Sequence, residues 1–371
     1  MKRIIILALS LIVCAGLFAQ DFTPYGSVRV GYWFDMQDED YYKGTDKDGE
    51  PMSRTFSSLD LQNNSRIGFN YKKGDLTAKA EIGANGSFRY LWGKHDFGGF
   101  SLLAGLNDDG FDKRANQVWG EDKMLQGYGA VYSGRNTQVK FEMENGFYAA
   151  ILKPYTDKDP ITGAFTAAEL AALEAAGINI SDGVDHMIPR INLGYNVDLN
   201  DIKIYPTFSF QMYNYNKDIL DIDSSVMSWL FGATVDYKMD ALSLRGHFHF
   251  GSNVANMYKD MGVGAGFDLE KEETIDETTM GGFLAVGFDV SDVINVGGGF
   301  GFASTSKEDY DNDTKMAFYL QSTLKIGDNF NLIPEFGMHM DGDKPQHKDY
   351  AGDAVARGSL MYVGAQLRYN F

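Results

Sequence analysis

Lysine and arginine recur at one phase of alternating stretches in this chain. Arg29, Arg66, Lys79, Arg89, Lys140, Arg190, Lys203, Arg245, Lys315, Lys325 and Arg368 occupy the positions between the apolar ones. Asp60, Glu81, Glu142, Asp236 and Glu335 share that phase. The chemistry open to such a set is electrostatic: hydrating a surface, pairing, and drawing ions of opposite sign. Covalent chemistry has less to work with. The one cysteine is Cys14, and the six histidines form no Ser/His/Asp constellation. His247 and His249 share a face with Arg245 but lack the third ligand a metal site needs. Asp46 to Gly49 and Asp311 to Asp313 echo calcium loops without the distal bidentate glutamate. Turn chemistry explains them, with weak divalent-cation binding by acidic loops left open and no other cofactor implied. Gly262 to Gly266 and Gly297 to Gly299 open no helix after a parallel strand and are not dinucleotide loops.

The elements that carry these charges are strands. From Arg357 to Phe371 the chain alternates strictly: Met361, Val363, Ala365, Leu367, Tyr369 and Phe371 on one face, Gly364, Gln366, Arg368 and Asn370 on the other. Period two describes a strand whose faces meet different solvents. An aromatic at the last position suits a strand that closes a barrel, because closure removes both sheet edges. The same texture runs back along the chain, beginning at Tyr25 to Phe34, with short turns such as Lys73 to Asp75 alternating with long loops. The reading is an all-β fold: an antiparallel up-and-down transmembrane β-barrel of sixteen strands, seven short turns and eight longer loops. Met124–Tyr132 and Met261–Leu269 also alternate, and counting both gives eighteen. One helix is expected on a loop, where Thr166 to Glu169 is a capping box and Gly177 a stop.

Composition sets the setting. Lys2 and Arg3 followed by an apolar run from Ile4 to Phe18 and by Ala19 read as a signal peptide over residues 1–19. The run is short of the ~20 residues a membrane helix needs. Residues 20–371 then form a single barrel domain. A net charge of −18 argues against nucleic acid as a partner. The acid concentrates in loops, from Asp35 to Glu50 and from Asp268 to Glu277.

Asn64 to Phe69, followed by a tight turn and Leu76 to Ala80, resembles the second and third strands of Gram-negative general porins. Arg135 to Phe141, leading through Glu144 to Gly146 into Phe147, is similar to that family too. The alternating last strand with terminal Phe371 looks like the signal that barrel-assembly machinery reads there. The resemblance implies a sixteen-stranded barrel in the cell outer membrane, usually a homotrimer, whose third outer loop folds inward. By position that loop is 108–136, although it lacks the family's Pro-Glu-Phe-Gly-Gly pattern. The second loop, Asn85 to Ser87, is shorter than the family's subunit latch.

On this reading Arg29, Arg66, Lys79, Arg89 and Arg368 form a basic wall. Asp108, Asp109, Asp112, Glu121 and Asp122 hang opposite on the loop, giving a transverse field at a constriction. The plain alternative is that the wall charges only hydrate the lumen and pair with neighbours. The expected function is passive diffusion of small hydrophilic solutes and ions, with no catalysis. One rival is a substrate-specific porin with a carbohydrate track of Trp33, Tyr90, Trp119 and Tyr205. Another is a surface adhesin or structural outer-membrane protein whose acidic loops meet a partner.

Overall fold

A computed structural model describes residues 21–371, apart from 112, 156–170, 172–173, 176, 178–182, 221–222, 259–260, 263, 269–272, 309, 311 and 343–356. Residues 1–20, Asp112 and nearly all of the expected loop helix fall outside the described residues.

Sixteen antiparallel strands close on themselves. The first half comprises β1 (Phe22–Gln37), β2 (Arg54–Leu61 and Arg66–Lys73), β3 (Leu76–Gly83), β4 (Phe88–Asp96), β5 (Phe100–Asn107), β6 (Asn136–Met143), β7 (Phe147–Leu152) and β8 (Val184–Asp185, Arg190–Tyr195 and Val197–Leu199). The second comprises β9 (Ile202–Tyr215), β10 (Ser225–Met239), β11 (Leu242–Ser252), β12 (Glu277–Ser291), β13 (Ile294–Lys307), β14 (Asp313–Ile326), β15 (Phe330–Asp341) and β16 (Ser359–Asn370). Each strand pairs with the next, and β1 returns to β16 in register from Ser27↔Asn370 to Gln37↔Leu360. The count is sixteen, so eighteen is corrected. In place of extra barrel strands, Met124–Tyr132 folds inside with one isolated bridge, Gln126↔Ala130. Gly266–Asp268 forms only a three-residue hairpin with Glu273–Ile275.

Alternation decides which side chains meet which solvent. On β1, Ser27, Arg29, Trp33 and Asp35 are buried while Val28, Tyr32 and Phe34 are 40%, 46% and 42% exposed. The exposed apolar positions continue round the barrel through Leu91, Phe248, Leu284, Leu320 and Val363. A charge on such a lipid-facing site costs about 2–4 kcal/mol at mid-membrane, which keeps arginine and lysine in phase with the inner face. The inner face is not uniformly polar. Trp33, Leu230, Ala317, Tyr319, Ile333 and Tyr362 also point in, and they pack on segments that enter the lumen.

The seam is held at both ends. At the short-turn end Gly26 N donates to Phe371 O (2.8 Å) and Phe371 N to Gly26 O (3.1 Å). Tyr369 stacks on Phe330 at 4.5 Å between ring centroids. At the long-loop end Asp38 accepts from both Ser359 N (2.7 Å) and Ser359 Oγ (2.6 Å). Burial pushes the Asp38 carboxyl up, but the bonds from Ser359 and the Tyr41 amide outweigh it and hold it below the usual carboxylate range. Deleting Phe371 removes the final hydrogen-bond pair and the ring packed over Gly26. The expected result is a several-fold lower yield of heat-modifiable, folded barrel on semi-native gels; an undiminished yield would show that the seam closes without it.

Turns follow residue chemistry. Gly74 between β2 and β3 has φ +55°, a value that only glycine adopts at no steric cost. Asp46 accepts from the amides of Asp48 (2.8 Å) and Glu50 (3.0 Å), the expected turn chemistry. The wall is uneven in height: β3 to β7 are six to nine residues long, whereas β9 to β16 run from eleven to fifteen.

Candidate functional site: a lumen crossed by an inward loop

The described residues of 108–135, between β5 and β6, lie inside the barrel and run along its inner wall. The outgoing limb touches β10 through Phe111 against Leu230, then β11, where Arg114 O accepts from Arg245 (3.1 Å). It reaches β14 at Asn116, bonded to the Tyr319 hydroxyl. At β15 and β16 the side chain of Gln117 meets His339 (3.0 Å) and donates to the Tyr362 hydroxyl (2.8 Å). Glu335 accepts from the amides of Val118 (2.8 Å) and Trp119 (3.0 Å), capping the approach to a tight turn. The returning limb packs Leu125, Tyr128 and Ala130 against Ala317, Tyr319 and Phe283. Gly129, with φ +101°, lies so close to the backbone of Gly282 and Phe302 that a Cβ there would collide with both carbonyls.

The turn of the loop docks on the basic wall. Asp122 forms a buried ion pair with Arg29 and lies 3.4 Å from Arg368. Arg29 and Arg368 are register partners on β1 and β16, so one carboxylate bridges the seam. Gln366 Nε2 donates to the same carboxylate at 3.0 Å. Glu121 accepts from the amide (3.1 Å) and side chain (2.8 Å) of Asn63, where β2 is interrupted. The backbone between them is left-handed: Glu121, Asp122, Met124 and Leu125 have φ of 63°, 63°, 56° and 59°. Each such residue costs roughly 1–2 kcal/mol, so the side-chain bonds hold the turn in a conformation the backbone does not favour.

The other wall cations gather beside that turn. Glu81 accepts from Arg89 (2.7 Å) and from Tyr25 (2.8 Å), with Arg66 at 3.9 Å. Lys79 lies 3.9 Å from the ring centroid of Tyr90, whose hydroxyl bonds Asp108. Asp109 goes elsewhere. It meets Arg190 of β8 (3.1 Å), which is fully buried and also donates to Ser133 Oγ (3.2 Å) and Met257 O (3.0 Å). That arginine ties together the outgoing limb, the returning limb and a second inward segment, residues 253–258, 261–262 and 264–265, whose Tyr258 and Met261 pack on Phe111 and Val131. Neither the arginine's role nor the second segment is visible in the sequence, since irregular loops carry no periodicity to read.

Among the described residues, two cavities border the inward loop. One of about 610 Å³ opens toward the long loops, lined by Arg66, Arg89 and Tyr90 of the wall and by Arg114, Glu121 and Arg135 of the loop. The other, about 770 Å³, opens among the short turns and is lined by Arg114, Lys203, Tyr205, Asp236 and Arg245. Of the aromatics considered as a carbohydrate track, Trp33 is 5% exposed under Tyr362, and Trp119 stacks on the same ring at 4.7 Å. Tyr90 and Tyr205 line the separate cavities. His247 and His249 are buried, and His247 Nδ1 lies 2.9 Å from Thr234 Oγ1. Among the described residues no third His, Cys, Asp or Glu joins them.

A closed barrel with an apolar outside, a charged inside and a loop laid across its lumen has the fold of Gram-negative outer-membrane porins. No family model and no curated protein matches the sequence. Among solved structures, the outer-membrane channel DcaP of Acinetobacter baumannii superposes with a TM-score of 0.64 at 12% identity, covering 95% of this chain and 97% of that one. OmpT of Vibrio cholerae, in a trimer form, gives 0.57 at 14% identity over 94% and 99%. Salmonella typhi OmpF, in complex with daunomycin, gives 0.56 at 10% over 94% and 97%.

Proposed function

We propose that the chain is an outer-membrane porin-type channel, through which small hydrophilic solutes and ions diffuse passively. The observation that carries the reading is the pair of charge-lined cavities left on either side of an inward loop in an otherwise closed barrel. Sixteen strands enclose more space than their own side chains fill. Here the surplus is divided between the loop and water. The constriction is formed by Arg66, Lys79 and Arg89 on the wall, with Arg29 and Arg368 engaged by Asp122. Asp108 and Glu121 are the loop's acidic contribution, and Asp109 fastens the loop base. Export by a cleaved leader over residues 1–19 and insertion by barrel-assembly machinery accompany this reading.

Replacing Arg66 and Arg89 by Ala should shift the reversal potential in a salt gradient toward cation preference, by a few-fold in permeability ratio. An unchanged reversal potential would take these two residues out of the constriction. Assembly as a homo-oligomer, a trimer by resemblance, is supported by the low wall. There Leu91, Leu102, Val139 and Ile151 of β4 to β7 are 50%, 42%, 49% and 57% exposed, an apolar face suited to a second copy.

A further inference from the structure

The inner faces of β9 to β12 change character along their length. Toward the short turns Lys203, Tyr205, Asp236 and Arg245 line the lower of the two cavities. Toward the long loops the inward side chains are buried: Ser209 and Gln211 of β9, Ser228 and Leu230 of β10, His249 of β11 and Thr279 of β12. None of these lines either cavity. The long-loop halves of β13 to β16 are covered too, at Thr305, Tyr319, His339 and Tyr362. The upper cavity lies instead against Arg66 of β2 and Arg89 and Tyr90 of β4. Among the described residues only Arg114 lines both cavities. Its guanidinium lies 3.8 Å from the ring centroid of Tyr132, which Arg135 approaches at 5.8 Å.

The second inward segment is what covers β9 to β12. Asn253, left-handed at φ 52°, turns the chain inward where β11 ends. Its side chain accepts from Glu277 N (2.8 Å) and donates to Asp276 (2.6 Å) and Met227 O (3.0 Å). Val254, Met257, Tyr258 and Met261 then pack with Phe111 and Leu230. Met257 Sδ lies 3.9 Å from Ser209 Oγ. Asn256 donates to the Tyr213 hydroxyl (2.9 Å), and its backbone carbonyl accepts from Gln211 (3.1 Å). Gly264 N donates to Glu277 (2.9 Å), which ties the far end of the segment to β12. Buried backbone groups satisfied in this way, over an apolar cluster, make a segment part of the packed wall.

We propose that this segment is a fixed roof over the lower cavity, and that it makes the water path oblique. Solutes enter at the long-loop end beside β2 to β4, pass Arg114, and leave beneath β9 to β12. A straight pore admits a rod of its own bore whatever the rod's length. A bent one also sets a limit on rigid length, so the roof makes the channel select by shape, passing compact solutes and holding back stiff, extended ones. The proposal rests on the channel reading above and adds the route and the solute shape to it.

The test reads water access along the wall of the purified full-length protein with a charged methanethiosulfonate reagent. The one cysteine of the chain is Cys14, so the parent protein gives the labelling background. Ser87→Cys in the upper cavity and Ser243→Cys in the lower should react, and each modification should lower single-channel conductance. Ser209→Cys and Ser228→Cys, under the roof, should react at least about tenfold more slowly. Replacing residues 254–264 by Gly-Gly should bring both to the rate of Ser87→Cys. It should also raise entry of the rigid trisaccharide cellotriose into liposomes about fivefold, with glucose changed less than about twofold. If the excised chain does not fold, labelling of the intact chain decides alone. Ser209→Cys and Ser228→Cys reacting as fast as Ser87→Cys in the intact chain would overturn the roof and leave the channel reading standing. So would modification of Ser243→Cys with no change in conductance. A protein that opens no conductance overturns both.

Discussion

Arg190→Ala should release the inward loop and make it a protease target in an otherwise folded barrel. The side chain is fully buried, with Asp109 at 3.1 Å, Ser133 at 3.2 Å and the Met257 carbonyl at 3.0 Å. Removing one partner of a buried ion pair costs about 3–5 kcal/mol, because the other charge stays buried and uncompensated. Here the loss falls on the docking of two inward segments at once, while the ladder of the wall is untouched. Lys113, Arg114 and Lys123 then become trypsin sites, and limited proteolysis in detergent reads their exposure directly. The wild type should resist cleavage there and the variant should be cut within the loop while keeping a folded barrel. Replacing both members, Arg190→Met with Asp109→Leu, should restore much of the protection, since an apolar pair of similar volume often substitutes for a buried salt bridge. A variant as resistant as the wild type would show that apolar packing of Phe111, Val131, Tyr258 and Met261 suffices to hold the loop.

The second large effect is expected at Asp122. Its carboxylate joins Arg29 to Arg368 across the seam, and both side chains of the Arg29–Asp122 pair are nearly fully buried. Asp122→Ala strands Arg29 without its partner and removes bonds that hold the turn, where Glu121, Asp122, Met124 and Leu125 are left-handed. The docking cost is again about 3–5 kcal/mol, and a turn that stores backbone strain relaxes when its restraints go. The channel should widen on the β1–β2 side and lose one negative charge. Single-channel conductance should rise about twofold with added open-state noise, and anion preference should increase. Conductance and selectivity equal to the wild type would mean that Glu121 with Asn63 and Asn64 fixes the turn alone.

The barrel itself was legible because alternation carries a direct energetic meaning: a residue out of phase meets lipid. Arg29 and Arg368, far apart in sequence, were assigned to adjoining strands on that ground, and they are register partners. Alternation fails where a segment has two protein faces. Met124–Tyr132 reads as a strand from its sequence, yet Leu125 and Val131 belong to a loop packed between wall and lumen. Periodicity also does not separate a lumen-facing aromatic from a lipid-facing one, so Trp33 and Tyr362 reveal their role only through the residues they touch. The charged wall was foreseen as one side of a gap. In the structure Asp122 is in direct contact with that wall, and Asp109 lies across the lumen on Arg190. Pairing of this kind depends on the path of an irregular loop, which residue types alone do not encode. Arg114, Arg135 and Tyr132 show the same limit, since nothing in their spacing announces that they stack.

The account stands or falls on whether water and ions cross the barrel. Single-channel recording of the purified protein in a planar lipid bilayer is the direct measurement. Discrete, long-lived conductance steps that grow in proportion to bulk salt conductivity are expected, because ions pass through hydrated cavities on both sides of the loop. A bilayer that stays as tight as a protein-free control, with folded barrel shown to be inserted, would contradict the account and mark the loop as a plug.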